Sequence, residues 1–91
     1  MTSEQMFTIL ETMATELDET VTVAAVFSPG TIRPVWFTRQ GRQVRIREVA
    51  FTWKTREGST PILHFSVSDG QGVFELRYNT GTYAWRLAAS A

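Results

Sequence analysis

The stretch LHFSVSDGQGVFELRY, from Leu63 to Tyr78, constrains the fold more than any other part of the chain. Apolar residues alternate on both sides of Gly70-Gln71. With that pair as a two-residue turn, Val67 falls opposite Phe74, Phe65 opposite Leu76 and Leu63 opposite Tyr78. On the other face Ser66 meets Glu75 and His64 meets Arg77. A one-residue slip would turn the whole apolar set to solvent, so this register is strongly specified. Gly as the first turn residue suits a type II′ turn. A turn at Asp69-Gly70 would set Val67 against Gly72 and Ser66 against Val73, mixing the faces.

The same logic extends both ways along the chain. A turn centred on Thr80-Gly81 puts Tyr78 opposite Tyr83, Leu76 opposite Trp85 and Phe74 opposite Leu87, with Glu75 facing Arg86. Upstream, a loop at residues 56–60 pairs Trp53 with Leu63, Phe51 with Phe65 and Val49 with Val67. Four strands then share one apolar face, and its aromatics read as core. Further upstream the phase changes. Val44 and Ile46 alternate on even positions, whereas Val49, Phe51 and Trp53 alternate on odd ones, which requires an inserted residue and predicts a bulge at Arg47-Glu48. A turn at Gln40-Gly41 pairs Phe37 with Val44 and Val35 with Ile46. It leaves Trp36 opposite Arg45 and Pro34 opposite Arg47 on the outer face. A three-residue loop at Ser28-Pro29-Gly30 aligns Val23 with Val35 and Val21 with Phe37.

The N-terminal segment reads differently. Met6, Ile9, Leu10, Met13 and Leu17 follow helical spacing, with Thr2 and Gln5 placed as a capping box, so an amphipathic helix is expected over about residues 3–18. The fold class expected is therefore α+β. The helix precedes an antiparallel meander of about six strands over residues 21–88, bent at the bulge into a half-barrel or small barrel. The 91 residues are read as a single domain, 1–91. With no cysteine, disulfides and thiolate metal sites are excluded. No apolar run approaches the roughly 20 residues of a membrane helix, and the acidic N-terminus does not read as a signal peptide, so a cytoplasmic, bacterial-type protein is expected.

Charge is distributed unevenly. Seven of the nine cationic residues lie between Arg33 and Arg56, against one acid, Glu48, whereas residues 1–20 carry five acids and no base. Register logic turns Arg45 and Arg47 outward and puts Arg39 and Arg42 beside a hairpin turn. One reading of the basic stretch is a solvated strand edge whose charges blunt unwanted pairing. The other is a polyanion site formed by Trp36, Arg39, Arg42, Arg45 and Arg47, since aromatic residues interleaved with arginines suit single-stranded nucleic acid. A Trp36–Arg45 cation–π stack would also account for the pair.

Catalytic and metal signals are weak. His64, the single histidine, is expected on the exposed outer face, with no carboxylate placed to orient it toward Ser66 or Ser68. Asp69 and Glu75 have no third partner for a metal. DGQG lacks the following helix that a phosphate-binding loop needs. No catalytic residue, cofactor or small-molecule substrate is expected.

The order Gly41-Arg42, Val44, Ile46, Glu48-Val49 and Trp53, followed by VFELRY (73–78) and AWRL (84–87), resembles a small bacterial β-rich domain family of unknown function. Some of its members are encoded beside genes for translesion DNA synthesis. The resemblance covers about residues 32–87, and departs from the family at Val44, where an aromatic is usual. It implies a small β domain with a lean toward nucleic-acid metabolism, and no site residues. Two functions are carried forward. The first is a non-enzymatic protein-interaction or accessory domain, binding a protein partner or itself as a homodimer. The second is a weak single-stranded nucleic-acid-binding module using Trp36 and the neighbouring arginines.

Overall fold

The computed structural model describes residues 14–91. These form eight strands and no helix: β1 (Thr15–Val21), β2 (Val23–Ser28), β3 (Thr31–Arg39), β4 (Arg42–Arg45), β5 (Glu48–Glu57), β6 (Thr60–Ser68), β7 (Val73–Asn79) and β8 (Trp85–Ser90). They build a five-stranded antiparallel sheet in the order β1-β8-β7-β6-β5 and a three-stranded one in the order β2-β3-β4. The described fold is all-β, which overturns the expected α+β class. Residues 15–18 of the expected helix lie in β1, and the rest of it lies outside the described residues, Ala14 excepted. The physical reason is a partner. β8 would otherwise end the sheet with unpaired backbone, and β1 completes it through pairs such as Thr15 with Ser90 and Val21 with Trp85.

The two sheets are joined at two corners. A single residue, Thr22, separates β1 from β2, and Ile46-Arg47 separate β4 from β5. The hydrogen-bond ladder runs on through both. Thr38 N donates to Thr22 O (2.9 Å), Ile46 N to Val35 O (2.9 Å) and Arg47 N to Ser68 O (2.8 Å). The phase change therefore marks a passage from one sheet to the other at Ile46-Arg47. The ladder irregularity follows at Ala50, between Val49 and Phe51, in place of the bulge expected at Arg47-Glu48.

Two hairpins have the expected register. β6 and β7 pair Val67 with Phe74, Phe65 with Leu76 and Leu63 with Tyr78. β3 and β4 pair Trp36 with Arg45 and Phe37 with Val44. Three other ladders differ. β7 and β8 pair Tyr78 with Trp85 and Leu76 with Leu87, two residues from the expectation, because the loop runs on through Tyr83 in a left-handed conformation (φ 62°). β2 and β3 turn on Pro29-Gly30 and pair Val23 with Phe37, and a shift at Val35 turns Pro34 into the interior. Beyond Ala50, β5 pairs Phe51 with Ser66 and Trp53 with His64, so those aromatics lie on the outer face.

The core is set between the sheets. Phe65, Val67, Leu76, Tyr78, Trp85 and Leu87 come from the larger sheet and Phe37 from the smaller, with Ile32, Val44 and Ile46 packed against them. Phe37 meets Phe74 edge-to-face at 5.2 Å, and Trp85 packs on Tyr78 at 4.7 Å and on Phe65 at 5.5 Å. Among the described residues no helix is long and apolar enough to cross a membrane.

Candidate functional site

The β3–β4 hairpin closes on Gln40-Gly41, both with positive φ (53° and 76°), as a type I′ turn requires. Its ladder sets Arg39 opposite Arg42, on the face that carries Phe37 and Val44 nearer the centre of the molecule. These two arginines thus continue the core-facing side past the end of the core. Arg45 stands on the other face, directly opposite Trp36. Arg47 sits at the corner between the sheets. Its side chain lies over the β6–β7 turn, where a Cβ added to Gly70 would come within 3.1 Å of Arg47 Cδ.

A cleft of about 530 Å³ opens between this hairpin and the β6–β7 turn, and Arg39, Arg42, Arg45 and Arg47 all line it, with Asp69 and Gln71 on the far wall. Arg42, Arg45 and Arg47 are exposed and have no salt bridge among the described residues. Arg39 lies 3.7 Å from Glu19, beyond hydrogen-bond length, and its Nε is buried without a hydrogen-bond partner. Asp69 supplies the opposite charge. Burial pushes its carboxyl up. The Gly72 and Gln71 amides, which donate to Oδ1 at 2.7 and 2.8 Å, and the nearby Arg47 outweigh this and hold it below the usual carboxylate range.

The structure thus brings four of the five sequence-predicted residues to one cleft. Trp36 is half-buried on the outer face beside Arg45 and does not line it. Asp69, Gln71, Gln43 and Phe74 also line the cleft and were not expected there. Gln43 comes with β4 itself, whereas only the folding of the β6–β7 turn against the corner brings in Asp69, Gln71 and Phe74, and no local pattern marks this.

A second polar cluster lies on the outer face of β5, β6 and β7. His64 is only 6% exposed, contrary to the expectation of a surface histidine. Trp53 stacks on its ring at 4.9 Å, and its Nε2 is 2.6 Å from Thr55 Oγ1. A carboxylate is present after all, since Glu75 Oε2 lies 3.6 Å from Nδ1 and accepts a hydrogen bond from Arg77 Nε at 2.8 Å. The hydroxyl, imidazole and carboxylate stand in triad order. The 3.6 Å separation is too long for the hydrogen bond that would orient the ring for base catalysis. The cluster ties three strands together.

Burial lowers the His64 pKa below 6.5, and Arg77 acts in the same direction while Glu75 opposes both. The unfolded chain therefore takes up this proton at higher pH than the folded one. The stabilising contribution is complete above about pH 6.5 and is lost as pH falls from there through the lower folded value. Urea midpoints measured from pH 8 to pH 5 should fall across that interval, and His64→Gln should flatten the fall. An unchanged slope in the variant would assign the effect to another group. Asp69 titrates in a separate window, its contribution being lost as pH falls below 3.8.

No protein-family model, curated protein or solved structure matches the chain. No residue role is therefore transferred to either cluster.

Proposed function

We propose that this domain is a non-enzymatic binding module whose arginine-lined cleft holds a single-stranded nucleic acid by its phosphates. The observation that carries this reading is the convergence of Arg39, Arg42, Arg45 and Arg47 on one cleft, three of them without an internal salt bridge among the described residues. Had the charges only blunted a strand edge, they would have no reason to converge across a sheet corner. Arg39 differs from the other three, since its Nε is shielded from solvent and lies 3.7 Å from the Glu19 carboxylate, so it adds charge to the cleft and not a free donor. Trp36 stands on the outer face opposite Arg45 and outside the cleft, so it would stack only on bases that leave the cleft past Arg45.

Four phosphate contacts on a single strand give a salt slope of roughly 0.7 each, near 3 in all. A labelled single-stranded oligonucleotide is titrated by anisotropy at several salt concentrations. The wild type should show that slope, and Arg42→Ala/Arg45→Ala/Arg47→Ala should reduce it to about 1, with the unfolding midpoint unchanged. Trp36→Ala should weaken binding with little change of slope. Absence of binding even at low salt would eliminate the reading.

A further inference from the structure

The arginine cleft is not uniformly basic. Arg39, Arg42 and Arg45 line it from the β3–β4 hairpin, whereas the β6–β7 turn brings in Asp69. A carboxylate repels a phosphate, so phosphate binding alone does not account for it. Holding the turn does not account for the charge either. Asparagine closes the same kind of turn through its side-chain oxygen and carries none. The remaining lining includes two half-buried apolar residues, Val44 and Phe74.

The turn fixes how the carboxylate is presented. The Gln71 and Gly72 amides both donate to Asp69 Oδ1, at 2.8 and 2.7 Å. Two donors fill that oxygen's lone pairs and leave Oδ2 to accept from a ligand. The ring of Phe74 lies beside the same turn, since a Cβ added to Gly72 would stand 3.4 Å from Phe74 Cζ. An aromatic ring and an acceptor-only group therefore sit side by side, across the cleft from the hairpin arginines. Recognition of an unpaired base uses this combination, with the ring packed on an aromatic side chain and the edge read by hydrogen bonds.

We infer, on the reading proposed above, that Asp69 selects the base of the bound strand, favouring cytosine over uracil or thymine. Charge sets the direction of the bound nucleotide, with its phosphate at the hairpin arginines and its base toward Asp69. The exocyclic amino group of cytosine then donates to Oδ2, as carboxylates accept from cytosine elsewhere. Uracil and thymine carry a carbonyl oxygen at that position, and two acceptors facing each other repel. Gln71 does not discriminate, because its amide presents either a donor or an acceptor.

Labelled oligo(dC) and oligo(dU) of equal length carry the same phosphates and differ at this group. Titrated by anisotropy at neutral pH, oligo(dC) should bind about 10-fold more tightly, the scale of one hydrogen bond to a charged group. Both should show the same salt slope, because the phosphate contacts are shared. Asp69→Asn keeps an oxygen for the turn amides and puts an N–H donor in place of Oδ2. It should leave the unfolding midpoint unchanged and bring oligo(dU) level with oligo(dC) or ahead of it. Equal binding of the two by the wild type, with the salt slope present, overturns the base selection and leaves phosphate binding standing. A preference for oligo(dC) that survives in Asp69→Asn also overturns it, by assigning the choice to another group. If neither oligonucleotide binds at low salt, phosphate binding and base selection fall together.

Discussion

Phe37→Ala should cost about 3–5 kcal/mol of folding stability, the largest effect expected from a single substitution in this domain. The ring is fully buried, and it is the smaller sheet's buried aromatic in the shared core. It meets Phe74 of the larger sheet edge-to-face at 5.2 Å. Truncation removes the transfer energy of the ring and also leaves a void where the two layers meet. Neither sheet can close that void without straining the corners at Thr22 and Ile46-Arg47. Since domains of this size have only about 5–15 kcal/mol in total, the variant should be marginal. Urea unfolding followed by fluorescence and by circular dichroism should show a lower midpoint with coincident curves. A loss under about 1 kcal/mol would mean that the sheets cohere by other contacts.

Leu76→Ala should cost about 2–5 kcal/mol, for a different reason. Leu76 lies in the middle of the larger sheet, with Phe65 opposite it on β6 and Leu87 opposite it on β8. It is also fully buried. Its side chain thus fills space bounded by ladders on both sides, and backbone pairing limits how far the neighbours can relax into the gap. Leu76→Met keeps most of the volume and should cost less than about 1.5 kcal/mol. If the two substitutions proved equally damaging, branching and rotamer fit, and not cavity formation, would control the site.

The parts of the fold that the sequence determined by itself are those where one face is apolar and the other polar. The β6–β7 and β3–β4 hairpins are of this kind. Their turns, Gly70-Gln71 and Gln40-Gly41, allow few registers, and a one-residue slip would expose Phe65, Val67 and Leu76 or Phe37 and Val44. A two-residue slip leaves every side chain on its own face. Alternation is therefore blind to the difference between Leu76 opposite Trp85 and Leu76 opposite Leu87. The length of the loop through Tyr83 made that choice. Phe51 and Trp53 were misplaced for a related reason. The outer face of β6 is itself buried at His64 and Ser66, so hydrophobicity no longer tells inside from outside, and the Ala50 bulge sets the phase. At Leu17, Glu19 and Val21 a strand period and a helical one overlap, and the open edge of β8 resolved the ambiguity. The site divides in the same way. Alternation alone turned Arg45 outward and set Arg39 and Arg42 beside a turn. Their convergence with Arg47 and Asp69 required the chain to change sheets at Ile46-Arg47 and to meet a turn more than twenty residues further on. A contact between distant segments depends on how whole strands pack, and only the tertiary structure carries that information.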